Sequence, residues 1–187
     1  MKRNRPPLLP LVVLLVGLLA TIAVASLLAR AEADRHQARF DQLASGAVQA
    51  IEARMLAQLT LLRGAAGLFN ASDEVEREDF RAYVARLRLE RNYSGVLGIG
   101  YSVYARDADA MQAVVTAARA SGLPGFTHRP PGPRQDYSAI LYIEPMNRLN
   151  AAALGFDMLS EDTRRAAMEA AARSGAAQMS GRVRLVQ

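Results

Sequence analysis

The chain has 187 residues, a formal net charge of +5, 51% hydrophobic residues, and neither cysteine nor tryptophan. Without cysteine there are no disulfides, thiol nucleophiles or thiolate metal sites, and a single domain of this length builds a core without staples. Lys2, Arg3 and Arg5 supply three of the five net charges, so the remainder carries only about +2; its signs alternate (Glu76-Arg77-Glu78-Asp79, Glu161-Asp162-Thr163-Arg164-Arg165) as on solvated helix surface, and no nucleic-acid partner is expected.

Residues 8–29 form an uncharged, almost wholly apolar run of 22 residues. At about 1.5 Å rise per residue, one helix of this run crosses the hydrocarbon core of a bilayer. The cations before it favour a cytoplasmic N-terminus. The expected arrangement is therefore a cytoplasmic tail at residues 1–7, a transmembrane helix at 8–29, and all that follows outside the cytoplasmic (inner) membrane, with the lipid bilayer as its first partner. A cleaved signal sequence, cut near Ala29-Arg30-Ala31, is the alternative, but its apolar region is usually about 7–15 residues. Both place the rest of the chain outside.

From Arg30 to Asn70 there is no proline, and Ala44, Val48, Ile51, Met55, Leu59, Leu62, Ala66 and Phe69 recur every three or four residues. That spacing predicts a long extracytoplasmic helix over residues 30–70, with one apolar stripe facing a partner. Ser72 is the expected N-cap of a second helix with Asp73 and Glu74 in its first turn, buried face Phe80, Tyr83, Val84 and Leu87, and an end near Asn92. Tyr93 to Tyr104 reads as a glycine-bearing strand. A helix from about Asp107 to Ser121 follows, closed by Gly122 and Pro124.

Pro130, Pro131 and Pro133 make residues 126–136 a loop, and Tyr137 to Glu144 is the clearest strand, ended by Pro145. Residues 147–159 read as an irregular connector. Ser160 is the expected cap of a helix that Gly175 ends. Ser180 to Gln187 reads as a strand with Val183 and Leu185 alternating against Arg182 and Arg184. Because the chain stops within that strand, a truncated domain or a fragment of a longer protein is expected.

Motifs for chemistry are sparse. His36 and His128 stand far apart, with no ligand at metal spacing in the sequence, and Gly95-Val96-Leu97-Gly98-Ile99-Gly100 has neither the order nor the following residues of a phosphate loop. There is no Gly-x-Ser-x-Gly elbow. Glu144 and Asp157 form a conceivable carboxylate pair, but capping or turn duty suits both. No catalytic residue, metal or cofactor is expected, and the chain is not expected to be an enzyme.

Tyr142-Ile143-Glu144-Pro145, Asn150, Leu154-Gly155-Phe156-Asp157, Ser160, Arg164 and Gly175 together resemble the CHASE domain, an extracytoplasmic sensor module of bacterial signalling proteins and plant cytokinin receptors. Upstream, Gly67-Leu68-Phe69, Phe80 and Gly98-Ile99-Gly100-Tyr101 are similar to the family pattern, and the resemblance covers about residues 65 to 187. It implies an α/β (α+β) fold in which a long helix is followed by PAS-like units, here at residues 71–187. It also implies a second membrane helix and a cytoplasmic histidine kinase or diguanylate cyclase (GGDEF type) in the parent protein. Plant members carry an acidic ligand contact where this chain has Arg164, which argues against an adenine-type ligand.

Within the resembling region, Tyr142, Asp157 and Arg182 are the expected ligand-binding residues. The alternative for Asp157 is a turn or cap acceptor fixing the loop before Ser160, and for Arg182 plain surface charge. Phe69, Glu144, Pro145, Gly155, Phe156, Asp157, Ser160, Arg164 and Gly175 carry the family motif. The expected function is a membrane-anchored receptor whose outer domain binds a small molecule and passes the signal along its helix, with a homodimer as the expected assembly. Two alternatives stand beside it: the non-catalytic front end of a sensor kinase or cyclase, and a membrane-tethered module that binds a protein partner.

Overall fold

The computed structural model of the protein describes residues 8–184, so the expected cytoplasmic tail at residues 1–7 lies outside the described residues. The chain divides into two units, Met1–Leu56 and Ala57–Gln187. Helix α1 runs Leu8–Asn70. Within the first unit the described side chains of α1 are exposed, among them Leu11, Leu15, Leu19, Ile22 and Leu27. The apolar window has a mean hydropathy of 2.9, and α1 is the one helix among the described residues long and apolar enough to cross a membrane.

The second unit begins with the end of α1, which buries Leu61 and Ala65 against α2 (Arg77–Leu87) and its neighbours. A hairpin-like pair follows in space: β1 (Ile99–Ala105) runs antiparallel to β2 (Tyr137–Glu144), with α4 (Ala108–Ala120) between them in sequence. Helix α3 (Leu89–Asn92) precedes β1, and α5 (Arg148–Ala151), a 3-10 turn (Met158–Ser160) and α6 (Asp162–Ser174) follow β2. The result is a mixed helix-and-sheet unit around a two-stranded antiparallel sheet.

The sheet register steps at its middle. Tyr101 pairs with Tyr142 but Ser102 pairs with Ile140, leaving Leu141 as the extra residue of a bulge. On the far edge of β2, Ile140 donates its N–H to Phe156 O at 3.1 Å and accepts from Gly155 N at 2.9 Å. Arg129 in turn bridges Phe156 in parallel. The Gly155-Phe156-Asp157 segment is thus sewn between β2 and the proline-rich loop, which satisfies backbone groups that an edge strand would leave open.

The expected helix from Ser72 to Asn92 is corrected in two places. It begins at Arg77, because Glu76 and Asp79 cap each other reciprocally, Asp79 Oδ2 accepting from Glu76 N at 3.1 Å. Val75, just ahead of the cap, and Phe80, in the second turn, share one core cluster; this box-and-staple arrangement outweighs a lone serine cap. The helix also breaks at Arg88, whose φ of 51° is left-handed. Leu89 is out of phase with the Phe80–Val84–Leu87 stripe, and the break lets it be buried at 5% exposure.

Three further expectations change. The strand expected from Tyr93 starts at Ile99, since a turn closed by Val96 N–H to Tyr93 O at 3.0 Å occupies the preceding residues. Helix α6 is capped by Glu161, whose side chain accepts from Arg164 N, while Ser160 ends the 3-10 turn. Residues 180–184 form no strand: among the described residues no strand of the sheet lies alongside to supply ladder partners. The last residues of that expected strand, Leu185 to Gln187, lie outside the described residues. Helix α4, strand β2 and the left-handed Gly175 after α6 stand where the sequence reading has them.

Candidate functional site

Two features of the second unit concentrate polar chemistry. The first is centred on Asp157, whose side chain is wholly buried. Its Oδ1 accepts from Ser138 N at 3.1 Å, Ser138 Oγ at 2.9 Å and Leu159 N at 2.9 Å. Its Oδ2 accepts from Arg134 Nη1 at 3.2 Å and faces His128 Nε2 at 3.1 Å. A carboxylate only accepts, so His128 meets it with the Nε2–H form. His128 makes a T-shaped ring contact with Tyr137, whose hydroxyl accepts from Arg134 N at 3.0 Å.

This centre ties together the proline-rich loop, the start of β2 and the turn before α6. Both carboxylate oxygens are occupied by protein donors, and Asp157 caps the 3-10 turn. Gly155 makes the approach possible. Its φ is +75°, and a Cβ there would stand 2.0 Å from Thr127 O, so only glycine brings the chain this close to the loop. Arg129 then fixes the connector by donating from Nη2 to Ala152 O at 2.6 Å and Leu154 O at 2.8 Å.

The second feature is a groove of ≈ 710 Å³, within the size range of small-molecule sites. Tyr142, Val103 and Leu141 form its floor, Val114 and Ala117 of α4 one wall, and Glu74, Glu76 and Glu78 with Arg77 the other. The Tyr142 hydroxyl donates to Val75 O at 3.1 Å. Its pKa is raised above the usual tyrosine value first by burial, then by Tyr101 and by the carboxylates of Glu74 and Glu76. From the groove an aromatic series leads inward: Tyr142 lies 5.9 Å from Tyr101 and 5.8 Å from Phe80, and Tyr101 stacks on Phe69 of α1 at 4.0 Å.

The three residues expected to bind ligand are not brought together. Tyr142 lies in the groove, Asp157 in the buried centre, and Arg182 is exposed. Glu144 is buried and accepts from Met146 N at 2.7 Å across Pro145, whose carbonyl accepts from Asn150 Nδ2 at 2.9 Å. These two motif residues turn the chain after β2. Arg164 places its guanidinium 5.2 Å from the Phe156 ring centre, pairs with Glu161 at 3.3 Å and donates to Arg184 O at 3.0 Å.

Sequence reasoning missed His128, Arg134 and Ser138, because they meet Asp157 from 19 to 29 residues away with no local pattern to announce them. It missed the Glu74 wall because the sequence reads Glu74 as part of a first helical turn and Glu76 and Glu78 as solvated helix surface. Among the described residues no group of three or more histidine, cysteine or carboxylate side chains is placed to hold a metal ion.

Comparison with protein families matches residues 73–187 to the CHASE domain. A search of curated proteins returns no match to the chain.

Proposed function

This chain belongs to the CHASE domain family, and from that premise we propose that it is the outer, ligand-sensing part of a receptor anchored in the inner membrane by residues 8–29. CHASE domains are extracellular sensor domains of receptors and are not themselves catalytic. The observation that carries the reading is the pairing of that domain with an uncharged apolar run of membrane-spanning length behind a basic N-terminus. The groove at Tyr142 is the ligand site in this reading, within a PAS-like unit. Occupancy acts by favouring one arrangement of the aromatic series, and hence of α1, over another, since a ligand shifts an equilibrium only through a difference in affinity for its two states. The exposed α1 residues Val48, Ile51 and Met55 support a homodimer through that helix.

A pair of fusions at Gln187 tests the topology. Alkaline phosphatase, which needs the periplasm, is expected to be active, and a reporter that needs the cytoplasm silent. The reverse pattern overturns the receptor reading. Cysteine at Ile51→Cys, in a chain with no native cysteine, is expected to cross-link two copies in intact membranes; a monomer under oxidation removes the homodimer.

A further inference from the structure

The apolar interior of the second unit falls into two clusters. One gathers Phe80, Val84, Leu89 and Ile99 around the end of α1; the other gathers Met111, Val115, Phe126 and Tyr137 between α4 and the sheet. Val103, Leu141 and Tyr142, on the sheet between the two, are only half-buried, and the ≈ 710 Å³ groove opens over them. An interior divided in this way leaves apolar surface in water that the body of a ligand would cover.

The wall opposite α4 sets the charge of that ligand. It carries three carboxylates, Glu74, Glu76 and Glu78, against one guanidinium, Arg77. Glu76 is committed to capping α2, and Glu78 pairs with Arg81 at 2.8 Å. Glu74 makes no hydrogen bond or ion pair among the described residues. At the groove floor the pKa of the Tyr142 hydroxyl, raised first by burial and by Tyr101, is raised further by Glu74 and Glu76, against a smaller opposing effect of Arg77. A second cleft of the unit, ≈ 280 Å³, is mixed in charge, with Arg81, Arg88 and Arg91 beside Glu90 and Glu144.

We propose that the groove binds an amphiphilic organic amine, with its apolar body over Val103, Leu141 and Val114 and its ammonium against the Glu74–Glu78 wall. The assignment rests on the ligand-sensing reading above and names the chemical class of its ligand. An ammonium there gains from the exposed Glu74 carboxylate, which no ion pair among the described residues occupies, while its apolar body is held on the half-buried floor; a carboxylate meets like charge instead.

The test is the thermal stability of the intact protein in lipid nanodiscs, titrated with three probes of matched shape: 2-phenylethylamine, 2-phenylethanol and 3-phenylpropionate. The amine is expected to raise the melting temperature in a saturable manner and well beyond the other two. Glu74→Gln with Glu78→Gln is expected to weaken the amine several-fold. Ala117→Trp, an exposed helix position on the groove wall, is expected to abolish the shift in protein that still unfolds cooperatively. A shift equal for amine and alcohol, one greater for the carboxylate, or an amine shift that survives both variants overturns the assignment. So does the absence of any shift. The reporter fusions separate this from the receptor reading: an active periplasmic phosphatase without an amine shift removes the amine alone, and an inactive one removes the receptor reading.

Discussion

Phe69, in the last turn of α1, lies flat on Tyr101 of β1, with ring centroids 4.0 Å apart and planes 15° from parallel. The contact joins the terminal turn of the long helix to the strand whose neighbour, Tyr142, forms the floor of the groove. A change in the position of Tyr142 therefore meets α1 through rings, which transmit displacement because a close-packed interior has little slack. Gly64 supports the same junction one turn and more earlier: a Cβ there would fall 2.6 Å from the Tyr83 hydroxyl.

Replacing Phe69 by alanine removes the stack and the half-buried ring together. Full burial would put such a truncation at about 3–5 kcal/mol, and partial exposure lowers the expected loss to about 2 kcal/mol, including the aromatic pair. Denaturant unfolding of the second unit's signal in the intact protein measures it. Phe69→Leu is expected to recover about half. Equal stability of wild type and Phe69→Ala would show that the stack carries no load.

The Asp157 centre is expected to behave as one unit. Ser138→Ala removes one of three donors to Oδ1 and is expected to cost about 1 kcal/mol. Asp157→Asn leaves Arg134 and His128 facing a neutral amide at a wholly buried position, and is expected to cost about 3 kcal/mol, as when one partner of a buried ion pair is lost. The double variant is expected to cost less than the sum, since both changes break the same network. Strict additivity in unfolding measurements would show that the contacts act separately.

Strand β2 and helix α4 were legible because their signals are local: an apolar run ended by Pro145, and Asp107 ahead of an amphipathic stretch. The α2 boundary was misread because Ser72 and Glu76 both offer caps, and what decides between them is tertiary, the burial of Val75 beside Phe80. The role of Asp157 was half legible. Its capping duty is a neighbouring-residue effect, whereas its three other partners arrive from β2 and the loop through folding alone. The groove was illegible for a related reason: its acidic wall and apolar floor come from segments 25 or more residues apart.

Two glycines that both have positive φ are expected to respond differently to alanine. At Gly175, φ is +65° and a Cβ meets nothing within 4 Å, so only the left-handed conformation opposes the change, at about 1 kcal/mol. At Gly155 the added carbon falls 2.0 Å from Thr127 O, and the chain must separate from the loop, breaking the Gly155–Ile140 and Arg129–Gly155 hydrogen bonds. The expected cost is about 3 kcal/mol or more, with a loss of protection from exchange at the amides of Arg129 and of residue 155, which donate those two bonds. Equal costs for the two substitutions would remove the close approach as the reason for glycine in the motif.

Tyr142 predicts an alkaline limit to stability. Burial first, then Tyr101, Glu74 and Glu76, hold its folded pKa above the usual 10.0. The folded state thus favours the neutral phenol, and in the window just above pH 10 the unfolded chain has lost the proton that the folded chain still holds. Stability is full below the unfolded pKa and falls as pH rises towards and through the folded one. Tyr83, also raised by burial and then by Tyr93, adds to the same slope. Tyr142→Phe is expected to flatten part of that slope, because it leaves no hydroxyl to ionise. Near neutral pH it should cost about 1 kcal/mol through loss of the hydrogen bond to Val75 O. Unfolding midpoints measured from about pH 8 to pH 11 decide the matter: parallel curves for wild type and Tyr142→Phe would mean that the hydroxyl ionises equally well in the folded and unfolded chain.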